Sequence, residues 1–155
     1  TEKDIIKILL EQFKKNYNKI IKTETTLNLY EIITLASIIQ AESKYKKDMD
    51  TISSVYHNRL NKNMLLQADP TVQYLLPKQK KRVLYKDTEI DNPYNTYIYK
   101  GLPPGPINNP NINAIVAAAY PPKTNYYYFV SNGKGTHIFN KTYNKHLKSK
   151  KNVAR

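Results

Sequence analysis

The sequence predicts an α+β fold, a helical N-terminal half packed on a small β-sheet or hairpin region in a single domain. Three observations carry that expectation. Apolar residues recur at helical spacing up to Leu60, two β-prone runs near the C-terminus flank a Gly-containing tract, and the strands follow the helices rather than alternate with them. At 155 residues the chain is about one domain long and can bury a core without disulfides or a metal. A hydrophobic content of 40% with 11% aromatics argues against disorder.

From Ile5 to Ile21, the residues Ile6, Leu9, Leu10, Phe13, Tyr17, Ile20 and Ile21 recur at helical spacing with lysines between them, which predicts an amphipathic helix. Asn28 followed by Glu31 forms a capping-box pattern that starts a second helix at about Leu29 and carries it to Glu42. The polar stretch SKYKKDMD then leads to Asp50, read as the cap of a third helix burying Ile52, Val55, Tyr56 and Leu60. Asp69-Pro70 opens a short helix with proline at its first position. The basic stretch KQKKRVLYKDTEID reads as an exposed loop. Asn109-Pro110 reads as cap and first residue of a helix whose alanines, Ala114 to Ala119, allow close backbone approach before Pro121-Pro122 stop it. NYYYFVSNGKGTHIFN predicts a hairpin turning near Ser131 to Gly135, and KTYNKHLKSKKNVAR a last helix or a frayed basic tail. The expected organisation is an amphipathic helix and connection over residues 1–27, the main domain over 28–148 and a basic tail over 149–155.

The charge of +13 would attract nucleic acid, anionic lipid or an anionic wall polymer. Arginine stands only at positions 59, 82 and 155, and no nucleic-acid reader motif is present, so nucleic acid is not an expected partner. Much of the lysine content follows from a composition rich in Lys, Asn, Ile and Tyr. There is no cysteine, and His57, His137 and His146 lack metal-ligand spacing, so neither a metal nor another cofactor is expected. SNGKGTH lacks the spacing of a phosphate loop. No apolar run approaches the roughly 20 residues of a membrane span.

Glu42 is the strongest candidate for chemistry. On a helix it shares a face with Leu35 and Ile38, and desolvation there would raise its pKa towards the range that suits a general acid. The alternative is that the helix merely ends there, or that Glu42 pairs with Lys44, Lys46 or Lys47. Asp69 is either a helix cap or a second carboxylate of the kind that sugar hydrolases use. His57 reads as a surface or partner-satisfied side chain, and His137, on the hairpin, as nearer to a ligand. Tyr94, Tyr97 and Tyr99 offer flat faces for sugars or bases, or pack on the core.

TLASIIQAES, VYHNRL, LLQADPTVQY, YNTYIYKGLPPGPINNP, AIVAAAYPPKTNYYYFV and GKGTHIFNKTYNKH, in that order and spacing, resemble the YceG/MltG-like endolytic murein transglycosylases over roughly Tyr30 to His146. The resemblance implies an enzyme that cuts nascent peptidoglycan strands internally, between N-acetylmuramic acid and N-acetylglucosamine, leaving 1,6-anhydromuramyl ends. It implies a periplasmic or extracytoplasmic location, with a membrane-tethering helix absent from this chain, and peptidoglycan synthases as partners. The family's essential acid maps onto Glu42, and Gln40 stands where relatives often have a second acid. The resemblance further suggests that Gln67, Asp69, Asn95, Thr96 and Tyr97 shape a substrate-binding groove, with His137 and Asn140 as weaker candidates and GLPPGP as one wall. Tyr120 replaces a histidine common in relatives and receives no role. A noncatalytic peptidoglycan-binding module is the alternative.

Overall fold

A computed structural model describes residues 1–20 and 25–153. It contains α1 (Glu2–Ile20), α2 (Leu29–Glu42), α3 (Lys46–Asn61), α4 (Asp69–Leu75), a 3-10 turn (Tyr85–Glu89), α5 (Ile112–Ala119), β1 (Tyr128–Ser131), β2 (His137–Asn140) and α6 (Tyr143–Val153). The strands form a two-stranded antiparallel sheet in which Tyr128 pairs with Asn140 and Ser131 with His137. The α+β expectation holds.

The core is built around α2. Ile32, Leu35, Ala36, Ile38 and Ile39 are all fully buried, so this helix is apolar almost all round, as an element enclosed by others must be. Its start follows from sequence: Asn28 Oδ1 accepts from the Glu31 N–H at 3.0 Å, and Glu31 accepts from the Asn28 N–H at 2.9 Å. α5 lies against α2 and α3 with Ala114, Ala117 and Ala118 buried, the close approach that alanine permits. Ser53 donates to the Ala117 carbonyl at 2.6 Å and the His57 ring meets the Ala118 carbonyl at 2.9 Å, so α3 supplies partners to the open carbonyl end of α5. His57 is thus satisfied by a partner.

Several boundaries move. α3 begins at Lys46 rather than after Asp50; Asp50 lies inside the helix, where it pairs with Lys46 one turn earlier at 3.4 Å. The cap of α5 is Asn111, whose side chain accepts from the Ala114 N–H, and not Asn109. Asp69 is the first residue of α4 and makes no cap; Ala68 occupies that position. α1 is a helix, but Ile5, Ile6, Ile8, Leu9 and Leu10 stay exposed and, among its described side chains, only Tyr17 packs against the core; Ile21 lies outside the described residues. No helix among the described residues is long and apolar enough to cross a membrane.

The C-terminal segment is a helix to Val153, and Ala154 and Arg155 lie outside the described residues. α6 packs on the hairpin, His146 stacking on Tyr128 with centroids 5.6 Å apart. Asn58 donates to the carbonyls of Thr124 and Tyr126, and Arg59 Nε to that of Tyr127, which straps the lead-in of β1 to α3. The Pro-rich loop is fastened to α2: Ser37 accepts from the Ile107 N–H at 2.9 Å, Asn108 donates to the Ser37 carbonyl, and Tyr30 donates to that of Pro104.

Candidate active site

Glu42 is the last residue of α2, where the apolar helix emerges between two cavities of about 450 and 570 Å³. Both cavities are lined by Glu42, Asp69 and Arg82. Together they make a groove that passes the carboxyl on either side. One half is completed by α4, the basic loop after it and Ile107-Asn108; the other by Gln67, Tyr97, the hairpin and α6.

The Tyr56 hydroxyl donates to Glu42 Oε1 at 2.7 Å. Tyr56 is buried on α3, held edge-on against Phe129 with centroids 5.8 Å apart. Glu42 keeps one side open to the groove, yet protein crowds the carboxyl elsewhere, and burial pushes its pKa up to about 7. The Tyr56 hydrogen bond opposes the rise by favouring the anion, and the negative charge of Asp69 adds to it. The result is an acid able to hold a proton near neutrality and to release it there.

Asp69 accepts from the Tyr97 hydroxyl at 2.5 Å. Burial, and then this bond to Asp69, raise the pKa of Tyr97, so its hydroxyl keeps the proton that it donates to Asp69. Gln67 reaches the groove through a left-handed backbone (φ 49), which turns its side chain out while Leu66 and Ala68 on either side enter the core. Arg59 fixes this bend by donating to the carbonyls of Leu65 and Leu66.

Asn95 and Thr96 do not face the groove. They are 0% and 1% exposed, and their polar atoms are engaged internally. Asn95 donates to the carbonyls of Thr88 and Ile90 and accepts from the Tyr97 N–H, while Thr96 Oγ1 accepts from the Ala68 N–H at 3.0 Å. They set Tyr97 and Asp69 in place from beneath, a consequence of burial that their polar identity conceals. Asn140 also lies away from the groove, accepting from Ser149 at 3.2 Å between hairpin and α6. His137 lines the second half, with Nδ1 on Asp48 Oδ2 at 2.7 Å and its ring edge-on to Phe129. GLPPGP lines neither cavity; Ile107 and Asn108, which follow it, line the first. Gln40 accepts from the Asn111 N–H at 3.2 Å, a tie between α2 and α5.

Sequence reasoning placed Tyr56 in the core without its hydroxyl contact and missed Arg59, Arg82, Phe129 and His146 as groove residues. The segments VYHNRL and NYYYFV were the available signal for Tyr56, Arg59 and Phe129.

The sequence profile of the YceG-like family matches residues 1–152. The chain belongs to the YceG-like family. This YceG-like chain is 46% identical over 150 residues to the endolytic murein transglycosylase of Bacillus subtilis (strain 168), covering 95% of its own length and 41% of that protein's. It is 33% identical over 138 residues to the endolytic murein transglycosylase of Streptococcus pneumoniae serotype 2, covering 84% of its own length and 25% of the relative's. The crystal structure of a YceG-like protein from Listeria monocytogenes superposes with a TM-score of 0.75 at 40% identity, over 91% of this chain and 44% of the other. The YceG-like chain thus spans less than half the length of each of these relatives.

Proposed function

We propose that the domain is an endolytic murein transglycosylase that cleaves the bond between N-acetylmuramic acid and N-acetylglucosamine within nascent glycan strands. The observation that carries the reading is a desolvated carboxyl, with a pKa of about 7, in a groove that continues past it on both sides. A passage open on both sides suits an internal cut, because strand lies to either side of the reacting bond.

Protonated Glu42 donates to the glycosidic oxygen as the bond to C1 breaks. The resulting carboxylate takes the proton from the muramyl C6 hydroxyl as its oxygen attacks C1, which closes the 1,6-anhydro ring. The nucleophile belongs to the substrate, so no water is consumed and no cofactor takes part. Tyr56 holds Oε1, leaving Oε2 to meet the sugar, and steadies the anion between the two proton transfers. The same reading puts the domain at the extracytoplasmic face of the membrane, beside the peptidoglycan synthases that make its substrate. The relatives named as endolytic murein transglycosylases support the murein-cleaving activity of this reading.

Asp69, bordering both halves of the groove with Glu42, favours a second reading as a two-carboxylate hydrolase. Mass spectrometry of products from uncrosslinked strands separates the two. Anhydromuramyl ends that disappear with Glu42→Gln are expected; reducing ends would establish hydrolysis, and intact strands would leave a noncatalytic glycan-binding module.

A further inference from the structure

Arg82 is the third residue common to both halves of the groove, and neither acid beside it takes up its charge. Tyr97 occupies Asp69 Oδ1 and Tyr56 occupies Glu42 Oε1, and Glu42 carries a proton over much of the neutral range. Among the described residues, no hydrogen bond or ion pair engages the guanidinium. Its neighbour Lys80 is different, being paired with Asp87 at 2.6 Å.

The loop that bears Arg82 is nevertheless held firmly. Gln73 of α4 donates to the Lys80 carbonyl at 2.7 Å and accepts from the Lys80 N–H at 3.0 Å. Asp87 adds a bond from the Leu84 N–H at 2.9 Å. Both clamps lie two residues from Arg82, and one of them ties the loop to the helix that begins with Asp69. An exposed, unpaired arginine on a clamped loop, lining both cavities that Glu42 lines, is arranged for an anion from outside. Lys81 in the first half and Lys150 in the second extend the same cationic rim.

The reading of the groove as a glycan groove, on which this inference rests, says which anion. A murein strand shares its backbone with a plain N-acetylglucosamine polymer and differs from it at the lactyl ether of muramic acid. Discrimination between the two polymers must therefore act at that substituent. We propose that Arg82 reads the muramyl side chain, pairing its guanidinium with a carboxylate carried on the lactyl substituent beside Glu42, and so selects murein over neutral glycans. That carboxylate has two sources: the lactyl group itself in peptide-stripped strands, and the stem peptide in peptide-bearing strands.

The test uses Glu42→Gln protein, so that binding is read without turnover, with and without Arg82→Ala. The probes are peptide-bearing strands, amidase-stripped strands, and a chitin oligosaccharide. The expected result is roughly tenfold weaker binding of at least one murein probe on loss of Arg82 and a change under about twofold for chitin. Arg82→Lys should recover part of the loss, and Lys3→Ala, which removes an equal charge on α1, should cause none. A loss confined to stripped strands assigns the lactyl carboxylate, one confined to peptide-bearing strands assigns the stem peptide, and a loss on both assigns both. The selective loss should shrink as salt is raised. Unchanged murein binding, or an equal loss on chitin, overturns the assignment while leaving the transglycosylase reading intact. If the Glu42→Gln protein binds no murein strand, both fall.

Discussion

Glu42 carries opposed influences on its proton, and each can be removed by one substitution. Tyr56→Phe deletes the bond that favours the anion, so the pKa should rise above about 7 and the alkaline limb of the pH profile of kcat/KM should move up. Asp69→Asn removes a negative neighbour, so the limb should move down and activity at pH 8 should fall. Movement of both limbs in one direction would contradict this account of the site. The raised pKa also sets a stability dependence. The unfolded chain releases this proton from about 4.5 upward while the folded protein holds it to about 7, so the folded state binds more protons between those values. Stability therefore falls as pH rises through that window, by at most about 3 kcal/mol and by less because one side of the carboxyl meets water. Thermal denaturation of Glu42→Gln between pH 5 and 8 should show a flatter profile than the native chain and a higher Tm at pH 8. The position of Glu42 on an apolar helical face was legible in the sequence. The Tyr56 hydroxyl was not, because a buried tyrosine reads as core until the tertiary structure shows where its oxygen points.

Elements whose ends are set by local hydrogen bonds were read well, and those set by distant partners were not. The capping box of α2 lies within four consecutive residues, and its bounds agree with the sequence reading. Asn28→Ala should cost about 1 kcal/mol in denaturant unfolding, the usual worth of an N-cap. The start of α3 moved to Lys46 because Asp48, in its first turn, is engaged by His137 across 89 residues of sequence and Met49 is drawn into the core. The cap of α5 moved to Asn111, whose side chain makes a local cap that Asn109 offered equally by pattern, and the distant Gln40 of α2, which holds the Asn111 N–H, separates the two. No local pattern reports either contact. The carbonyl end of α5 depends on α3 in the same way. Ser53→Ala should cost about 1–3 kcal/mol in denaturant unfolding by leaving the buried Ala117 carbonyl without its donor, and Ser53→Thr, which keeps the hydroxyl, should cost less. Asn95 and Thr96 make the complementary point: polar residues near a motif are as well suited to satisfying buried backbone as to meeting a ligand, and burial decides between these roles.

At the scale of the molecule, a helical scaffold and a strapped-down hairpin close on Glu42 from two sides, and the groove between them runs past the acid in both directions. Early digestion of long strands should therefore yield fragments of many disaccharides rather than a steady release of single ones, which size-resolved chromatography of time points would show; dominance of one-disaccharide product from the start would indicate a groove closed at one end. The amino-acid pattern by itself determined that this chain is an α+β domain, that α2 begins at Leu29, that a hairpin turns near Gly133, and that Glu42 sits at the end of an apolar helix. These follow from periodicity, capping and turn chemistry, which act over a few residues. Only the tertiary structure decided that Asp69 turns to Tyr97 rather than capping a helix, that Asn95 and Thr96 are buried away from the groove, and that Arg82 lines the same two cavities as Glu42 with its charge unspent. Those facts depend on which groups remain unpaired after distant segments pack, a competition for partners that no short stretch of chain contains.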